Sequence, residues 1–492
     1  MASSGGNLVR ALDEAPISRF HTKAIFTSGM GFFTDAYDLF IIGVASALIA
    51  KQWHLDTGQV SLINSMTLLG AFVGAIGYGR LADVVGRKRV YGLEALIMLI
   101  AALACAAAPD FAFLVAFRFV LGLGVGGDYP VSAVIMSEFS NRANRGRLVG
   151  LVFAMQALGT VTGYIAGLAL LSTGIISHEA VWRILLGLGA IPSALVLYAR
   201  RRMPESPRYQ LWVRGDERTA AESMLRYADG MLVAHGNGNG AAAATAGNGH
   251  LALSTDNGSA RPLRLRLGEF LSDRRMMLTL LGTAGAWFVF DYAYYGNAVS
   301  APLIVKTVLG KGATVEQSLA FNLIVFSVAA VPGYYLAAAY MDRIGHRALQ
   351  LLGFLLMGLM FLLIGVVPGV TSAVAPFLVL FGASYFFAEF GPNSTTFVLA
   401  AEVYPTSVRT TGHGISAGLA KLGAFIGVYL FPHLTKAFGI SGALEFSAAM
   451  AAIGLLLTLL VPEASGKTLE QISGDEALLQ RRPAARLQPE PA

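Results

Sequence analysis

Apolar residues run along the chain in blocks of about 20, and short polar stretches that carry most of the charges separate the blocks. A helix of that length crosses about 30 Å of hydrocarbon. Windows of low charge predict twelve spans, at residues 25–49, 59–79, 90–109, 111–136, 148–171, 181–199, 277–303, 319–340, 348–368, 373–400, 412–434 and 441–461. The pattern therefore predicts an all-α polytopic membrane protein with twelve transmembrane helices.

A long polar stretch separates the sixth span from the seventh. It begins with three arginines and contains a run of Gly, Asn and Ala between His235 and Gly249. A stretch so poor in apolar bulk cannot recover its ordering entropy, so we predict a partly disordered linker. The predicted organisation is an N-terminal tail (1–24), a first six-helix bundle (25–199), the linker (200–276), a second six-helix bundle (277–461) and a C-terminal tail (462–492).

The two predicted bundles repeat each other. A charged Gly-containing loop follows both the second and the eighth span, and a Glu lies seven residues before an Arg after both the fourth and the tenth. Two similar bundles that rock about a central site are typical of a transporter. A turn that only fixes topology is the alternative for one such loop, but the duplication argues against it. The predicted gate consists of Asp83, Arg87, Glu138, Arg145, Asp342, Arg347, Glu402 and Arg409.

Composition and charge narrow the function. Hydrophobic residues make up 55% of the chain, charged residues 13%, and the mean hydropathy is +0.60, which excludes an ordinary cytosolic enzyme. The net charge of +6 reflects topology, because 29 of the 36 Lys and Arg lie in the termini and in the loops after even-numbered spans. The positive-inside rule then places both termini in the cytoplasm. The single cysteine, Cys105, allows no intrachain disulfide and no multi-cysteine metal site.

Ionisable residues inside spans are costly and are functional candidates. Asp35 and Asp38 are three residues apart and share a helix face, where two carboxylates in a low dielectric cannot both ionise cheaply. That arrangement suits a proton carrier, and a structural carboxylate pair is the alternative. Asp128 follows two glycines that permit close helix approach. Arg118 is too far along the same span to contact Asp128, and we expect it to steady a carboxylate on another span.

A polar stripe runs along the seventh span. Trp287, Asp291 and Tyr295 stand at positions i, i+4 and i+8. Aligning the repeat places Tyr129 of the fourth span opposite Asn393 of the tenth. It also places Gln156 of the fifth span opposite Lys421 of the eleventh, to within one residue.

One central cavity is therefore expected to receive polar groups from both halves. Its hydroxyls, indole, amides and ammonium donate hydrogen bonds, and its Asp accepts one. This chemistry suits dihydrogen phosphate, because a carboxylate accepts from a P–OH group but repels sulfate.

Several motifs carry a family resemblance. The two charged loops, the segment 204–208 after the sixth span and the segment 462–466 after the twelfth resemble the major facilitator superfamily, in its branch of sugar and anion symporters. Within that branch, the octapeptide 126–133 closely resembles the signature of the phosphate:H+ symporter family. Segments 31–38 and 390–396 support this resemblance, which covers all twelve spans and fails only in the linker.

The resemblance implies roles for particular residues. Residues matching Tyr129, Gln156, Trp287, Asp291, Tyr295 and Asn393 line the phosphate site in that family. Residues matching Asp35, Asp38 and Asp128 take part in proton movement, and residues matching Arg118 and Lys421 support the transport cycle. Glu389 departs from the pattern, because some relatives carry a neutral residue there. It is either an additional proton site or a carboxylate paired within the bundle.

The sequence thus predicts a proton-coupled importer of inorganic phosphate that works by alternating access in the plasma membrane. Its expected partners are inorganic phosphate, protons and the lipid bilayer, with no nucleic acid, cofactor or metal ion. A symporter for a sugar or another anion and a non-transporting phosphate sensor are the alternatives. A membrane enzyme is disfavoured, because no nucleophile–histidine pattern is present.

Overall fold

The described part of the chain is almost entirely helical. This computed structural model describes residues 4–227, 233–237, 241–246, 249–252, 265–300, 304 and 314–475. Within those residues, eleven helices are long and apolar enough to cross a membrane. They are Arg19–Trp53, Thr57–Val85, Arg87–Ala106, Phe111–Phe139, Arg145–Ser172, His178–Arg200, Arg274–Val299, Val315–Ile344, His346–Val366, Val374–Ala400 and Arg409–Thr458.

The last of these helices accounts for two predicted spans. It is 50 residues long, and Gly439 interrupts it with φ 70° and ψ 178°. Glycine adopts such a backbone without a Cβ clash, so the helix breaks at this position. The segments before and after Gly439 cover the predicted spans 412–434 and 441–461, and we call them the eleventh and twelfth spans. The prediction of twelve spans therefore agrees with the structure.

Four other spans contain local irregularities. The third span divides into Arg87–Val90 and Leu93–Ala106, and the sixth divides into His178–Leu188 and Ala190–Arg200. The eighth span consists of Val315–Val325, the π-helix Phe326–Ala330 and Val331–Ile344. The tenth span consists of Val374–Ala388, the π-helix Glu389–Asn393 and Ser394–Ala400. Short π-helical segments often accompany functional sites in helices.

The spans form two groups of six that contact each other through equivalent pairs. In the first group, span 1 packs on span 5 and span 2 on span 4. Across the groups, span 2 packs against span 11, and span 5 packs against span 8. Because spans 2 and 5 correspond to spans 8 and 11 in the repeat, these contacts follow the predicted pseudo-symmetry.

Glycines bring the second and fourth spans into close contact. A Cβ atom at Gly70 would lie 2.1 Å from the carbonyl oxygen of Phe119, and one at Gly126 would lie 2.1 Å from that of Ala71. The two backbones approach each other only because these positions carry no side chain. The close contact holds the fourth span, which carries Asp128 and Tyr129, in a fixed position.

Both described ends of the chain lie on one face of the bundle, which we call the terminal face. Arg208 of the linker connects them, because its Nη2 lies 2.6 Å from Asp13 Oδ1 and its Nε lies 3.1 Å from Glu470 Oε1. Short elements on and around the bundle are the helices Ser4–Glu14, Pro207–Tyr209, Glu217–Tyr227, Leu267–Ser272 and Leu469–Ser473, the π-helix Gln210–Arg214 and the 3-10 helix Val370–Ser372.

Three short strands are described within the predicted linker. Strands β1 (Val233–Asn237), β2 (Ala241–Ala246) and β3 (Gly249–Ala252) form an antiparallel sheet in the order β1-β2-β3. The partial disorder of the linker stays a prediction. The rest of the Gly, Asn and Ala run lies outside the described residues. The predicted domain boundaries stay predictions.

Candidate functional site

A buried ion pair lies at the centre of the bundle. Lys421 of the eleventh span places its Nζ 2.8 Å from Asp291 Oδ2 of the seventh span and 3.3 Å from the hydroxyl of Tyr295. All three side chains are at most 1% exposed. A charge in such an environment requires a partner, and here the ammonium and the carboxylate provide one for each other.

Aromatic rings surround the ammonium group. Lys421 Nζ lies 4.4 Å from the ring centroid of Tyr129 and 4.4 Å from that of Tyr295, within the range of a cation–π contact. The Trp287 ring lies 6.1 Å from the ring of Tyr129. Its indole N–H lies near Asp291 but makes no hydrogen bond of normal geometry among the described residues. Lys421 of the eleventh span therefore contacts both the predicted stripe of the seventh span and Tyr129 of the fourth span.

Amides and phenols continue the cluster into both halves. Gln156 Nε2 donates to the hydroxyl of Tyr129 over 2.9 Å, and Asn393 Nδ2 donates to the hydroxyl of Tyr334 over 2.8 Å. The Tyr334 hydroxyl donates to Gln156 Oε1 over 3.4 Å and joins the two pairs. We call Tyr129, Gln156, Trp287, Asp291, Tyr295, Tyr334, Asn393 and Lys421 the central cluster.

Glu389 lies at the edge of the central cluster. Asn393 Nδ2 donates to Glu389 Oε2 over 2.5 Å within the π-helix of the tenth span. Gly391 in that segment has φ −115° and ψ −107°, which interrupts the helix between the two residues. Glu389 is fully buried and has no ion pair among the described residues. Glu389 is thus hydrogen-bonded within the tenth span, and its role as an additional proton site or a paired carboxylate stays a prediction.

The central cluster can bind an anion that also carries hydrogen-bond donors. An ammonium, two amides, phenols and an indole offer hydrogen-bond donors around a single carboxylate, Asp291. All members are buried, with at most 3% of any side chain exposed. Low-dielectric surroundings strengthen each of these contacts with a bound ion. Among the described residues, no group of three or more His, Cys, Asp and Glu could hold a metal ion.

A second buried cluster surrounds Asp128. Arg200 places Nη2 2.6 Å and 2.7 Å from the two carboxylate oxygens of Asp128, and its Nη1 lies 2.5 Å from Glu94 Oε1. Ser132 also donates to Asp128, and the guanidinium lies 4.3 Å from the ring centroid of Tyr91. Asp128 therefore has a buried cation that the sequence analysis did not assign to it.

Asp35 and Asp38 have different surroundings. Asp35 interacts electrostatically with the Asp128–Arg200 pair and with Lys421, and neither of its carboxylate oxygens has a hydrogen-bond partner among the described residues. Arg118 donates to the backbone carbonyl of Asp38 over 3.3 Å from each of two nitrogens. Arg118 thus contacts the backbone of Asp38 on another span and also interacts electrostatically with its carboxylate. The two aspartates do not form an isolated pair.

The predicted gate residues meet at the terminal face in two similar networks. In the first, Glu138 Oε1 lies 3.2 Å from Arg87 Nη2 of its own half and 3.2 Å from Arg409 Nη1 of the other half. Arg87 also lies 3.1 Å from Asp83, whose carboxylate accepts from the backbone N–H of Thr411 over 2.7 Å. This network joins the second and fourth spans to the start of the eleventh.

The second network repeats the first with the halves exchanged. Glu402 Oε1 lies 2.8 Å from Arg145 Nε of the other half, and its Oε2 lies 2.9 Å from His346 Nδ1 of its own half. His346 Nε2 lies 3.1 Å from Asp342 Oδ1. Although burial raises the pKa of Glu402, the neighbouring His346 and Arg145 outweigh that effect and lower it to about 2. Glu402 therefore stays ionised at any physiological pH.

One predicted gate residue is wrong. His346, not Arg347, contacts Asp342 and Glu402 and occupies the place that Arg87 has in the first network. Within the described part of the chain, Arg347 donates through its backbone N–H alone, to Glu463 over 3.1 Å. The reason is helical geometry: Asp83 and Arg87 are four residues apart, as are Asp342 and His346, whereas a spacing of five turns the side chain away.

Comparisons with known proteins agree on the fold and on the family. A model of the "sugar (and other) transporter" family matches residues 23–475. Inorganic phosphate transporter 1-6 of Oryza sativa subsp. japonica is 34% identical, over 98% of this chain and 99% of that protein. Probable inorganic phosphate transporter 1-6 of Arabidopsis thaliana is 35% identical, over 96% of each chain. The chain belongs to the inorganic phosphate transporter family of the major facilitator superfamily.

Solved structures confirm the fold of this family member. The proton:xylose symporter XylE bound to 6-bromo-6-deoxy-D-glucose has a TM-score of 0.74 and 20% identity, over 94% of this chain and 99% of that one. A partially occluded inward-open form of XylE from E. coli has a TM-score of 0.70 and 18% identity, over 92% and 100%. The relatives are transporters, which confirms the prediction that the chain is no enzyme.

Three residues of the site in this phosphate transporter family member were missed from the sequence. Arg200 was assigned to the basic run after the sixth span, but the helix continues to it and buries its guanidinium. Glu94 and Asp128, two acids without an assigned cation, were the available signal. Tyr334 lies in the predicted span 319–340, which contains no charged residue, so nothing in the sequence marked it, and His346 stands directly before Arg347, which offered the stronger charge signal.

Proposed function

We propose that this protein is a proton-coupled symporter that imports inorganic phosphate by alternating access. The observation that carries the proposal is the central cluster, in which a buried Lys–Asp pair, two amides and several phenols from both halves converge. The names of the relatives, inorganic phosphate transporters with about a third of their residues identical over nearly the full chain, support phosphate as the substrate.

Dihydrogen phosphate fits the central cluster better than sulfate or a sugar does. Lys421, Gln156, Asn393 and the phenols donate to the oxygens of the anion, while Asp291 accepts from a P–OH group. Sulfate has no proton to donate at neutral pH, so it would place a charge against the Asp291 carboxylate. A sugar offers no charge for Lys421 to neutralise.

The cluster around Asp128 supplies the proposed proton sites. Asp128 is bound by Arg200, and Asp35 interacts with that pair and with Lys421. A proton on either carboxylate lowers the negative charge beside the central cluster and so favours entry of the anion. When the protein opens to the cytoplasm, the protons leave first, and the restored negative charge expels the phosphate. Asp38 and Arg118 are proposed to support this step from the first and fourth spans.

The terminal face is proposed to be the cytoplasmic face and the two ion-pair networks its gate. The distribution of Lys and Arg supports cytoplasmic termini, and the plasma membrane is proposed from this orientation together with the proposed substrate. Every ion pair between Glu138 or Glu402 and the opposite half has to break before the halves can separate on this side. On this proposal, the described contacts correspond to a state closed to the cytoplasm.

The proposal is tested by uptake into liposomes. Purified protein takes up radiolabelled phosphate, and the measurement is made with and without an inward proton gradient, with sulfate and glucose as competitors. We expect gradient-stimulated uptake that neither competitor inhibits. The Asp128→Asn variant should lose uphill uptake while remaining folded, and the exposed Asp56→Asn serves as the matched control.

Three results would contradict the proposal. Undiminished gradient-driven uptake by the Asp128→Asn variant would reject the proton site. Binding of phosphate without any uptake by the wild type would favour a sensor, and inhibition by glucose would favour a sugar symporter.

A further inference from the structure

A groove of about 480 Å³ opens at the terminal face, where the seventh and ninth spans begin and the twelfth ends. None of its lining residues belongs to the central cluster, and Arg347 in the lining directly follows His346 of the second gate network. Its lining residues are Arg274, Arg275, Leu278, Thr279, Arg347, Leu459, Leu460, Val461 and Pro462. We call it the rim groove.

Three arginines give the rim groove a concentrated positive charge. Arg274 and Arg275 are exposed, Arg347 is half-buried, and none of them has an ion-pair partner among the described residues. A neighbouring acid, Glu463, accepts from the backbone N–H groups of His346 and Arg347 over 2.9 Å and 3.1 Å. The carboxylate of Glu463 is therefore hydrogen-bonded to the start of the ninth span. It does not compensate the positive charges of the three guanidinium groups.

The positions of Arg274 and Arg275 add to this excess of charge. They are the first two residues of the seventh span, next to the positive end of its helix dipole, where a cation is unfavourable. Asp273 precedes them but accepts from the backbone N–H of Met276 over 3.0 Å as the cap of the helix. A bound anion would relieve the repulsion among these groups.

The other wall of the groove is apolar and open to the surroundings. Leu278, Leu459 and Leu460 are 43%, 50% and 39% exposed, at the end of helices that cross the membrane. Leucines in that position face lipid chains, whereas the arginines lie at the level of the headgroups. A free inorganic anion would use the arginines and leave this apolar wall without a partner.

We propose that the rim groove binds an anionic phospholipid of the leaflet at the terminal face. Its phosphate contacts Arg274, Arg275 and Arg347, and an acyl chain lies along Leu278, Leu459 and Leu460. Basic pockets between membrane helices bind acidic lipid headgroups by the same chemistry. The inference holds whatever substrate the central cluster carries. The lipid links the seventh, ninth and twelfth spans of the second half.

Native mass spectrometry of lipid retention tests the inference. The full-length protein is equilibrated in nanodiscs of phosphatidylcholine and phosphatidylglycerol, extracted into mild detergent, and the bound lipid is identified by mass. We expect the wild type to retain phosphatidylglycerol, and the R274Q/R275Q/R347Q variant to retain at least fivefold less. The matched control is R142Q/R147Q/R201Q, which removes three exposed arginines of the terminal face outside the groove.

Equal retention by the wild type and the R274Q/R275Q/R347Q variant would overturn the proposal, as would an equal loss in the control. A second arm adds inorganic phosphate to the exchange. Displacement of phosphatidylglycerol by millimolar phosphate would reassign the groove to free anions and reject the lipid. Thermal unfolding checks that each variant is folded. If the triple variant is unfolded, Arg347→Gln alone replaces it, with an expected loss of at least twofold.

Discussion

At the scale of single residues, the site depends on how each buried charge is matched. Lys421 touches Asp291, Tyr295 and Tyr129 at once, so it couples the seventh and eleventh spans of one half to the fourth span of the other. On the proposed function, a phosphate ion adds an anion to this group without removing the existing pair. The ion pair would then both stabilise the empty site and select what enters it.

Removing one member of this pair should cost more stability than removing both. Lys421→Gln or Asp291→Asn leaves an unpaired buried charge, which typically costs about 3–5 kcal/mol. The double variant leaves none and should unfold at a higher temperature than either single variant. Thermal unfolding of the three purified variants checks this order. A double variant whose loss equals the sum of the single losses would show that the two residues are not coupled.

The hydrogen bond between Asn393 and Glu389 predicts a positioning role for Glu389. Glu389→Gln keeps an acceptor for the Asn393 amide, so phosphate uptake should stay within about twofold of wild type. Glu389→Ala removes it, and an unsatisfied buried amide costs about 1–3 kcal/mol, so uptake should fall at least tenfold. Uptake by both variants is measured between pH 5 and pH 8. A complete loss in Glu389→Gln would instead identify Glu389 as a proton carrier.

The sequence predicts which residues form the central cluster better than it predicts which residues they contact. Polar residues within apolar spans stand out, and the six residues matched to a phosphate site do converge around Lys421. Arg200 and His346 were not assigned from the sequence, because each was predicted to lie in a basic loop, where neighbouring arginines offer an equally good signal. Only the helix geometry decides which of them turns inwards.

At the scale of helices, small residues determine where spans meet. Gly70 lies against the carbonyl oxygen of Phe119, while a Cβ atom at Gly77 on the same helix would meet no atom within 4 Å. The apolar pattern of the sequence predicts that the membrane helices exist and roughly how long they are. The break at Gly439 falls between two predicted spans, whereas the π-helix at Glu389–Asn393 was not predicted, because the apolar pattern does not distinguish it from an α-helix.

Gly70→Ala should therefore destabilise the protein and Gly77→Ala should not. The added methyl at position 70 would push the second and fourth spans apart, at a typical cost of about 1–3 kcal/mol. At position 77 the same methyl meets open space, and alanine favours a helix by up to about 1 kcal/mol. Melting temperatures in one detergent compare the two variants. Equal melting temperatures would contradict the assigned contact.

At the scale of the whole molecule, the two halves that repeat in sequence also make equivalent contacts with each other. Glu138 and Glu402 each bind one cation of their own half and one of the opposite half. The duplication of the loops predicted that these residues act together. It did not predict that the opposite half supplies one cation to each carboxylate, because pairing across the two bundles depends on how they dock.

Arg145→Gln should favour opening at the terminal face. The change removes the 2.8 Å contact with Glu402, and a loss of about 1.4 kcal/mol would raise the open population tenfold. Spin labels are placed at Ala143→Cys and Arg343→Cys, which are exposed and lie on different halves. Electron paramagnetic resonance then measures the distance between the two labels. We expect a new population at longer distance.

The control for this measurement is Arg183→Gln. Arg183 pairs with Glu179 four residues away, on a partly exposed surface of one half, so the label distance should not change. An unchanged distance in Arg145→Gln would show that the Arg145–Glu402 pair does not restrain the two halves.

The sharing of Glu138 and Glu402 between the halves also bears on the direction of transport. When the halves separate, Arg409 and Arg145 leave, but Arg87 and His346 stay with the two carboxylates. No buried carboxylate loses its last partner, and the departing arginines pass into water. The open and closed forms should then differ little in free energy, and neither direction of the exchange is blocked. We expect phosphate to flow out as readily as in once its own gradient exceeds the opposing proton gradient.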